Sequence, residues 1–252
     1  MVDGRRLVTA VLLTTATVAA AALVVAAQIV QVVQATPAAA TIRTAASAST
    51  LYQDALATTH SWSVHYDSAS TESKVTLVES GNAGPASASQ TVTMGKGTIT
   101  ILVIGGFSYV KGNVNGLQNL AGLSATQAAE AAGQWIEFST DNAAFAAVVV
   151  GVRSTDVAKE LALKAPLSLG HASTLNGQTV DAIDGTQTFG RKSQHVVLYV
   201  RAKGTHVPVE EDSVNAKGQH TSAEHVIYSK WGEQVRPEAP MATISIGSIS
   251  AV

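Results

Sequence analysis

The residues best suited to chemistry are acidic and histidine side chains gathered between positions 210 and 225. Glu210-Glu211-Asp212 is followed by His220 and then by Glu224-His225. Carboxylate oxygens and imidazole nitrogens are ligands for divalent metals such as zinc. No ligand spacing here matches a known metal site, and a solvated hairpin face accounts for the same residues. We therefore predict no metal site.

Signature motifs of the common enzyme classes are missing. The sequence contains no G-x-S-x-G, G-x-x-x-x-G-K-[ST], G-x-G-x-x-G or H-E-x-x-H pattern. Serine, histidine and aspartate are plentiful enough for a hydrolase triad, but a sequence does not show which of them meet in space. The chain has no cysteine, which excludes disulfides, thiol catalysis and Cys-ligated zinc. We expect a non-enzymatic protein without a cofactor.

The acidic and histidine residues belong to a segment predicted to be an antiparallel meander. Residues 195–201, 207–214 and 223–229 are rich in β-branched and aromatic residues, and short polar turns separate them. Short turns between consecutive strands indicate antiparallel pairing. One face of such a meander must be covered by other parts of the chain.

The preceding part of the chain predicts a block of strands and then helices. Strands are predicted at 62–66, 74–79, 87–94, 98–104, 107–111, 135–138 and 179–184. Helices are predicted at 49–59, 140–150 and 154–163, with a short one at 128–132 after a capping box from Ser124 to Gln127. Residues 113–119 and 168–180 are predicted loops. The pattern indicates an α+β fold with a large antiparallel sheet.

The apolar residues of these elements are mostly aliphatic, because aromatic residues make up only 5% of the chain. Small aliphatic side chains leave room against a curved sheet. Periodic apolar positions nevertheless signal burial and not a cavity. From these residues alone, an ordinary close-packed core is the favoured interpretation.

Length and charge exclude some functions. The 252 residues suffice for one large domain or two small ones. Charged residues make up 13% of the chain and the net charge is -2, which argues against a broad nucleic-acid-binding surface.

The N-terminus has the pattern of an export segment. Arg5 and Arg6 precede an apolar stretch that runs from Leu7 to Val33. This stretch is long enough for a membrane-spanning helix, which needs about 20 residues. An Ala-x-Ala pattern ending at Ala40 is typical of a cleaved signal. We expect a chain that works outside the cytoplasmic membrane, with a retained anchor favoured over cleavage near Ala40 and release.

Three segments resemble a known family. They are FSYVKGN from Phe107, GQWIEF from Gly133, and the tail that includes VIYSKWGEQVRPEAP, ending at Pro240. Loosely spaced from Thr44 to Pro240, they resemble the bacterial lipid-carrier lipoproteins of the LppX/LprG type, which share the LolA-like fold. Members of that family carry a lipobox cysteine, and this sequence has none near Ala40, so a lipid anchor on cysteine is excluded.

The resemblance implies a strongly curved antiparallel half-barrel with helices packed on its concave face, plus an N-terminal hydrophobic helix. Residues 1–40 would be the signal or anchor segment, and residues 41–252 the lipid-binding domain. It further implies an exported, envelope-associated carrier that holds lipid or lipoglycan acyl chains in an apolar cavity between sheet and helices. The alternative is a non-catalytic structural or interaction module with a filled core, whose protein partner is unknown. We predict that the cavity is lined by Ile99, Ile101, Val103, Leu120, Leu123, Phe145, Val149, Leu161, Leu198 and Val200.

Overall fold

The structure of the protein, a computed structural model, describes residues 45–72, 74–139, 151–189, 192–214 and 220–249. The predicted export segment from Leu7 to Val33 and the predicted helix at 140–150, with Phe145 and Val149, lie outside the described residues. Across the described ranges, no helix has the length and apolar character needed to cross a membrane.

Within the described residues, an open, curved sheet of thirteen strands dominates the fold and does not close into a barrel. Its strands are β1 (Val64–Glu72), β2 (Val75–Ala83), β3 (Ser87–Met94), β4 (Gly97–Ile104), β5 (Phe107–Gly112), β6 (Ile136–Ser139), β7 (Lys164–Leu169), β8 (Ser173–Leu175), β9 (Gln178–Phe189), β10 (Lys192–Arg201), β11 (Pro208–Val214), β12 (His220–Ser229) and β13 (Ile244–Ser245). Neighbours follow the order β13-β6-β5-β4-β3-β2-β1-β12-β11-β10-β9-β7, with β8 attached to β9. All of these pairs are antiparallel except β13 with β6.

Four α-helices accompany the sheet within the described residues: α1 (Ala45–Ser61), α2 (Val114–Asn119), α3 (Ala125–Ala131) and α4 (Ser154–Glu160). A 3₁₀ turn covers Ile246–Ser248. The predicted α+β class with a large antiparallel sheet is confirmed. The predicted capping box is also confirmed, because Ser124 accepts from the Gln127 backbone and Gln127 accepts from the Ser124 backbone.

Both predicted loops are wrong. Residues 113–119 contain α2, and residues 168–180 contain the end of β7, all of β8 and the start of β9. Helix α2 has the sequence VNGLQN, in which glycine and asparagine disfavour a helix. Its beginning is fixed instead by Asn113, whose Oδ1 accepts from the Gly116 backbone at 2.7 Å and whose Nδ2 donates to the Lys96 carbonyl at 2.8 Å. Tertiary contacts thus override weak local preference.

Strand β4 shows how the sheet divides into two faces. Its burial alternates residue by residue along the whole strand, with Ile99, Ile101 and Val103 buried and Thr98 and Thr100 partly exposed. The buried side chains contact α2 and α3, so we call this side of the sheet the inner face. The opposite side is the outer face.

Among the described residues, the buried apolar side chains of the inner face form two clusters. The first cluster joins β3 to β6 with α2 and α3. The second cluster joins β1, β9, β10 and β12 with α1 and α4. The two clusters meet where β2 pairs with β3.

Replacing Gly116 with alanine tests the seating of α2 on β4. A Cβ atom at Gly116 would lie 2.2 Å from the Thr98 carbonyl oxygen, so α2 has to move away from the strand. We expect the free energy of unfolding to fall by about 1–3 kcal/mol, measured by urea denaturation. Gly106→Ala is the matched control, because nothing lies within 4 Å of its added Cβ. Equal stability of the two variants would contradict the tight contact.

Candidate functional site

The structure describes eight of the ten residues predicted to line an apolar cavity. All eight are buried, with exposed fractions of 9% or less. Five belong to the first cluster and three to the second. The first five are Ile99, Ile101, Val103, Leu120 and Leu123, and the other three are Leu161, Leu198 and Val200. The structure thus places them on one face of the sheet, in two groups. That they line a ligand cavity stays a prediction.

Between the two clusters, strands β2 and β3 present small or polar side chains. Ala83 of the second cluster lies directly opposite Ala88 of the first, and both are fully buried. One step along the strands, Gly81 lies opposite the buried Gln90. We call these four residues the boundary strip. The ring of Tyr66 covers Gly81 so closely that an added Cβ would lie 2.6 Å from it. The inner face is thus least apolar where its two halves meet.

A set of polar groups lies inside the second cluster, where the helices meet the sheet. The hydroxyl of Tyr52 on α1 donates to the Leu161 carbonyl at 3.0 Å and accepts from the Leu163 backbone N–H at 2.6 Å. Burial raises the pKa of Tyr52, and the negative charge of Glu211 adds to the rise, while the Leu163 N–H opposes it. This tyrosine stays neutral and joins α1 to the residues that follow α4.

The same region contains a carboxylate. Glu211 on β11 is only 1% exposed. Gln187 on β9 donates to Glu211 Oε1 at 2.9 Å and to the Glu160 carbonyl, at the end of α4, at 3.2 Å. Tyr228 donates to Glu211 Oε2 at 3.4 Å. We call Tyr52, Gln187, Glu211 and Tyr228 the polar seam. One of its hydrogen bonds joins the sheet to the end of α4, and the others link β9, β11 and β12 to one another and α1 to the residues after α4, within an otherwise apolar cluster.

The sequence interpretation missed the polar seam by treating positions 210–212 as one acidic run. Side chains of a strand alternate between faces. Val209 and Glu211 therefore share the inner face, whereas Glu210 and Asp212 share the outer one. Alternate residues of 207–211 share one face, and this period of two was a usable signal that Glu211 lies on the same face as Val209. It was overlooked because three adjacent carboxylates are usually solvated.

On the outer face, Glu210, Asp212 and His225 come together. Asp212 lies directly opposite His225 on the neighbouring strand, and their Oδ1 and Nδ1 atoms are 2.5 Å apart. One ligand atom of each of the three residues lies within 4.8 Å of the others. We call this group the carboxylate–histidine cluster. The meander thus brings two residues of the acidic run beside a histidine of the next strand. The side chain of His220 lies outside the described residues, and Glu224 is buried on the other face.

Crowding alters the ionisation of this cluster. Burial, together with the hydrogen bond to Asp212 and the charge of Asp212, raises the pKa of Glu210 from 4.5 to about 7, while His225 acts to lower it. The hydrogen bond with Asp212 raises the pKa of His225, against the opposing effect of burial. Burial and the charges of Asp212, Glu210 and Asp184 raise the pKa of Tyr199 to about 12. The cluster is a site of accumulated negative charge on the sheet.

A second outer-face feature is a polar groove between β1–β3 and the C-terminal segment. It has a volume of about 260 Å³ and is lined by His65, Asn82 and Ser89, with Val64 and residues 230 and 233–237. His65 bonds to Asn82 through Nδ1 at 2.9 Å. Ligand pockets are commonly about 300–1,000 Å³ and mostly apolar. The groove is small and polar, so it is not the predicted acyl-chain cavity.

The Tyr52→Phe variant tests the polar seam. Removing the hydroxyl leaves a buried carbonyl and a buried N–H without that partner, which costs about 1–3 kcal/mol. We expect a corresponding fall in the free energy of unfolding, measured by chemical denaturation. Thr58→Val is the control, because its hydroxyl bonds only within α1 and in an exposed position. An unchanged stability of Tyr52→Phe would show that α1 is not held by this hydroxyl.

The carboxylate–histidine cluster predicts a pH dependence. The folded state holds the protons of Glu210 and His225 more tightly than the unfolded state does. The contribution of these two groups to the free energy of unfolding is therefore complete at low pH. It is lost between pH 4.5 and about 7 for Glu210, and above pH 6.5 for His225. In a metal-chelating buffer, we expect the melting temperature to fall from pH 5 to pH 8. In Glu210→Gln, the melting temperature should fall less steeply below pH 7. His195 is an exposed histidine on β10, and His195→Gln should show the same fall as the wild type. A wild-type profile in Glu210→Gln would refute this origin.

Comparisons with known proteins give only distant structural similarities. No protein-family model matches the sequence, and no curated protein matches it. Among solved structures, the chain is similar to LprF from Mycobacterium bovis, with 12% identity, a TM-score of 0.49, and coverage of 77% of this chain and 96% of that one. An uncharacterized conserved protein from Thermus thermophilus has 10% identity, a TM-score of 0.42, and coverage of 79% and 98%. A structure of the Pseudomonas aeruginosa MucA/MucB complex has 14% identity, a TM-score of 0.38, and coverage of 81% and 61%. Because all three similarities are distant, none of them assigns a function to this chain.

Proposed function

We propose that this chain is a non-catalytic carrier of the cell envelope that binds the acyl chains of a lipid or lipidated molecule. The chains would lie between the concave inner face of the sheet and the helices. The observation that carries this proposal is the apolar inner face of an open sheet, on which the described buried residues form two clusters beneath the helices. An acyl chain lying along the boundary strip would contact both clusters at once.

The side chains of the two clusters suit an apolar guest. Isoleucine, valine, leucine and alanine dominate both clusters, so most of the surface offered to an acyl chain is apolar. The buried polar side chains Gln90 and Glu211 lie beside this apolar surface. Each methylene group transferred from water contributes about 0.8 kcal/mol. Two long chains therefore bind tightly without any specific polar contact. Such binding would select for chain length more than for the chemistry of the head group.

Entry of a guest requires the helices to separate from the sheet, since the eight described lining residues are already buried. Within the polar seam, lifting α4 breaks the hydrogen bond from Gln187 to the Glu160 carbonyl and exchanges it for hydrogen bonds to water, with a net loss of about 0.5–1.5 kcal/mol. This one bond adds little to the cost of separating α4 from the sheet.

The location outside the cytoplasm belongs to the same proposal. Arg5 and Arg6 followed by the apolar stretch from Leu7 to Val33 support export, with a retained anchor or with cleavage near Ala40. A carrier tethered in this way would exchange lipid with the membrane that holds it.

One observation favours the alternative, a structural or interaction module with a filled core. None of the eight described lining residues exceeds 9% exposure, as in an ordinary protein interior. The two functions differ in one measurable respect. A carrier retains lipid when it is purified from membranes, whereas a filled module does not.

The Ala88→Phe variant tests the proposed binding position. A phenyl ring at this fully buried position would occupy the boundary strip. We expect the amount of lipid that co-purifies with the full chain, measured by mass spectrometry, to fall about tenfold, because the ring fills space proposed for the acyl chain; a tenfold loss corresponds to about 1.4 kcal/mol of binding free energy. Ala69→Phe is the matched control, because Ala69 is exposed on the outer face of β1. Circular dichroism verifies that each variant folds, and Ala88→Val replaces Ala88→Phe if the larger residue prevents folding.

Three outcomes would count against the carrier. Wild-type protein from several hosts without bound lipid, and without affinity for a fluorescent fatty acid, would favour the filled module. Lipid retained at the wild-type level by a folded Ala88→Phe variant would refute the boundary strip as its position. Equal loss in Ala69→Phe would show that the effect is not specific to the inner face.

A further inference from the structure

Three metal-ligand side chains of different chemistry converge on the outer face of the sheet. Glu210 and Asp212 are two residues apart on β11 and project to the same side. Asp212 is paired in register with His225 of β12. One ligand atom from each lies within 4.8 Å of the other two. Hydrogen bonding along both strands fixes their Cα atoms, so convergence of the three side chains is built into the sheet and not into a loop.

The separation of these atoms is close to that of a coordination sphere. Zinc binds imidazole nitrogen and carboxylate oxygen at about 2.0–2.2 Å, so two ligands of a tetrahedral site lie roughly 3.4 Å apart. Asp212 Oδ1 and His225 Nδ1 are now 2.5 Å apart and share a proton. Replacing that proton with a metal ion requires the two atoms to move apart by less than the length of one bond. Side-chain rotation provides this, because His225 remains 43% exposed.

The geometry points to a divalent metal site formed by Glu210, Asp212 and His225, with Zn²⁺ as the ion that this mixture of one imidazole and two carboxylates fits. Three protein ligands leave a fourth position for water, as in open zinc sites. The surrounding field favours a cation, since Asp184 adds a third carboxylate that acts on the same Tyr199. Asp212 is only 3% exposed, which fixes one ligand in place, while the other two are accessible from solvent.

This site is independent of the proposed lipid-binding function. The three ligands lie on the outer face, and the boundary strip lies on the inner one. Glu211, between two of the ligands, points into the polar seam. A metal on the outer face would neutralise charge on β11 without contacting the acyl chains. If the protein binds no lipid, the proposed metal site is therefore unaffected. If it binds no metal, the proposed lipid binding is unaffected.

Calorimetric titration of the full chain with Zn²⁺ at pH 7.5, after removal of any purification tag, tests the site. We expect one ion per chain and a rise in melting temperature with added Zn²⁺. His225→Gln and Glu210→Gln should each weaken binding about tenfold or more, since even residues that only support a ligand change metal affinity by about 10–100-fold. These two positions are partly exposed, so both variants are expected to fold. His195→Gln on β10 is the matched histidine control and should bind as the wild type does.

Spectroscopy with Co²⁺ identifies the ligands. Cobalt bound by one imidazole and two carboxylates gives visible absorption bands that should vanish in His225→Gln and persist in His195→Gln. The proposal would be overturned if the wild-type protein bound neither Zn²⁺ nor Co²⁺. Wild-type affinity in His225→Gln or in Glu210→Gln would overturn it as well, and so would loss of binding in His195→Gln.

Discussion

The inner face of an open sheet has to be covered, and this requirement governs the rest of the structure. A strand pleat gives each residue one of two faces, so β1 to β6 together with β9, β10 and β12 send an apolar row to one side. The described helices are short apart from α1, and they cover the two ends of that row as separate clusters. The boundary strip is where neither group of helices supplies an apolar partner from the described residues. The arrangement follows from few aromatic residues and many small aliphatic ones, since small side chains do not span a wide interior.

The pleat also explains how three adjacent carboxylates are accommodated in one strand. Glu211 faces the second cluster and is satisfied by Gln187 and Tyr228. Glu210 and Asp212 face outward toward His225. Two different environments thus arise from consecutive residues. One is a dry environment that holds helices to the sheet, and the other is partly solvated and holds protons or a cation.

The strands were predictable because their signal is local. Residues 87–94 were predicted as a strand and form β3, and β4 and β5 differ from their predictions by one residue at an end. Helix α2 was not predictable in this way, because Asn113 stabilises it through Lys96 and Thr98 of a distant turn. Strands β7 and β8 were missed for a related reason: their residues are largely exposed, β7 contains Pro166, and both strands owe their conformation to pairing with β9.

The candidate site was predictable in composition but not in arrangement. Apolar alternation identified Ile99, Ile101 and Leu198 as buried, because burial is encoded along each strand. It did not reveal that they fall into two clusters, since this depends on where β12 pairs with β1 and so joins the two blocks of strands. The meeting of Asp212 with His225 likewise depends on the register of β11 with β12, which a turn outside the described residues connects. The sequence placed the acidic run and a histidine on neighbouring predicted strands. It did not show which carboxylate lies opposite the histidine.

The buried carboxylate of Glu211 is the residue at which the two proposed functions differ physically. Burying an ionised or hydrogen-bonded acid carries a desolvation penalty, and replacing such a group with an apolar one of similar volume is often neutral or stabilising. A filled module therefore gains nothing from Glu211 that a leucine would not supply. In the proposed carrier, Gln187 links this acid to the end of α4, so lifting that helix would let water reach Gln187 and Glu211.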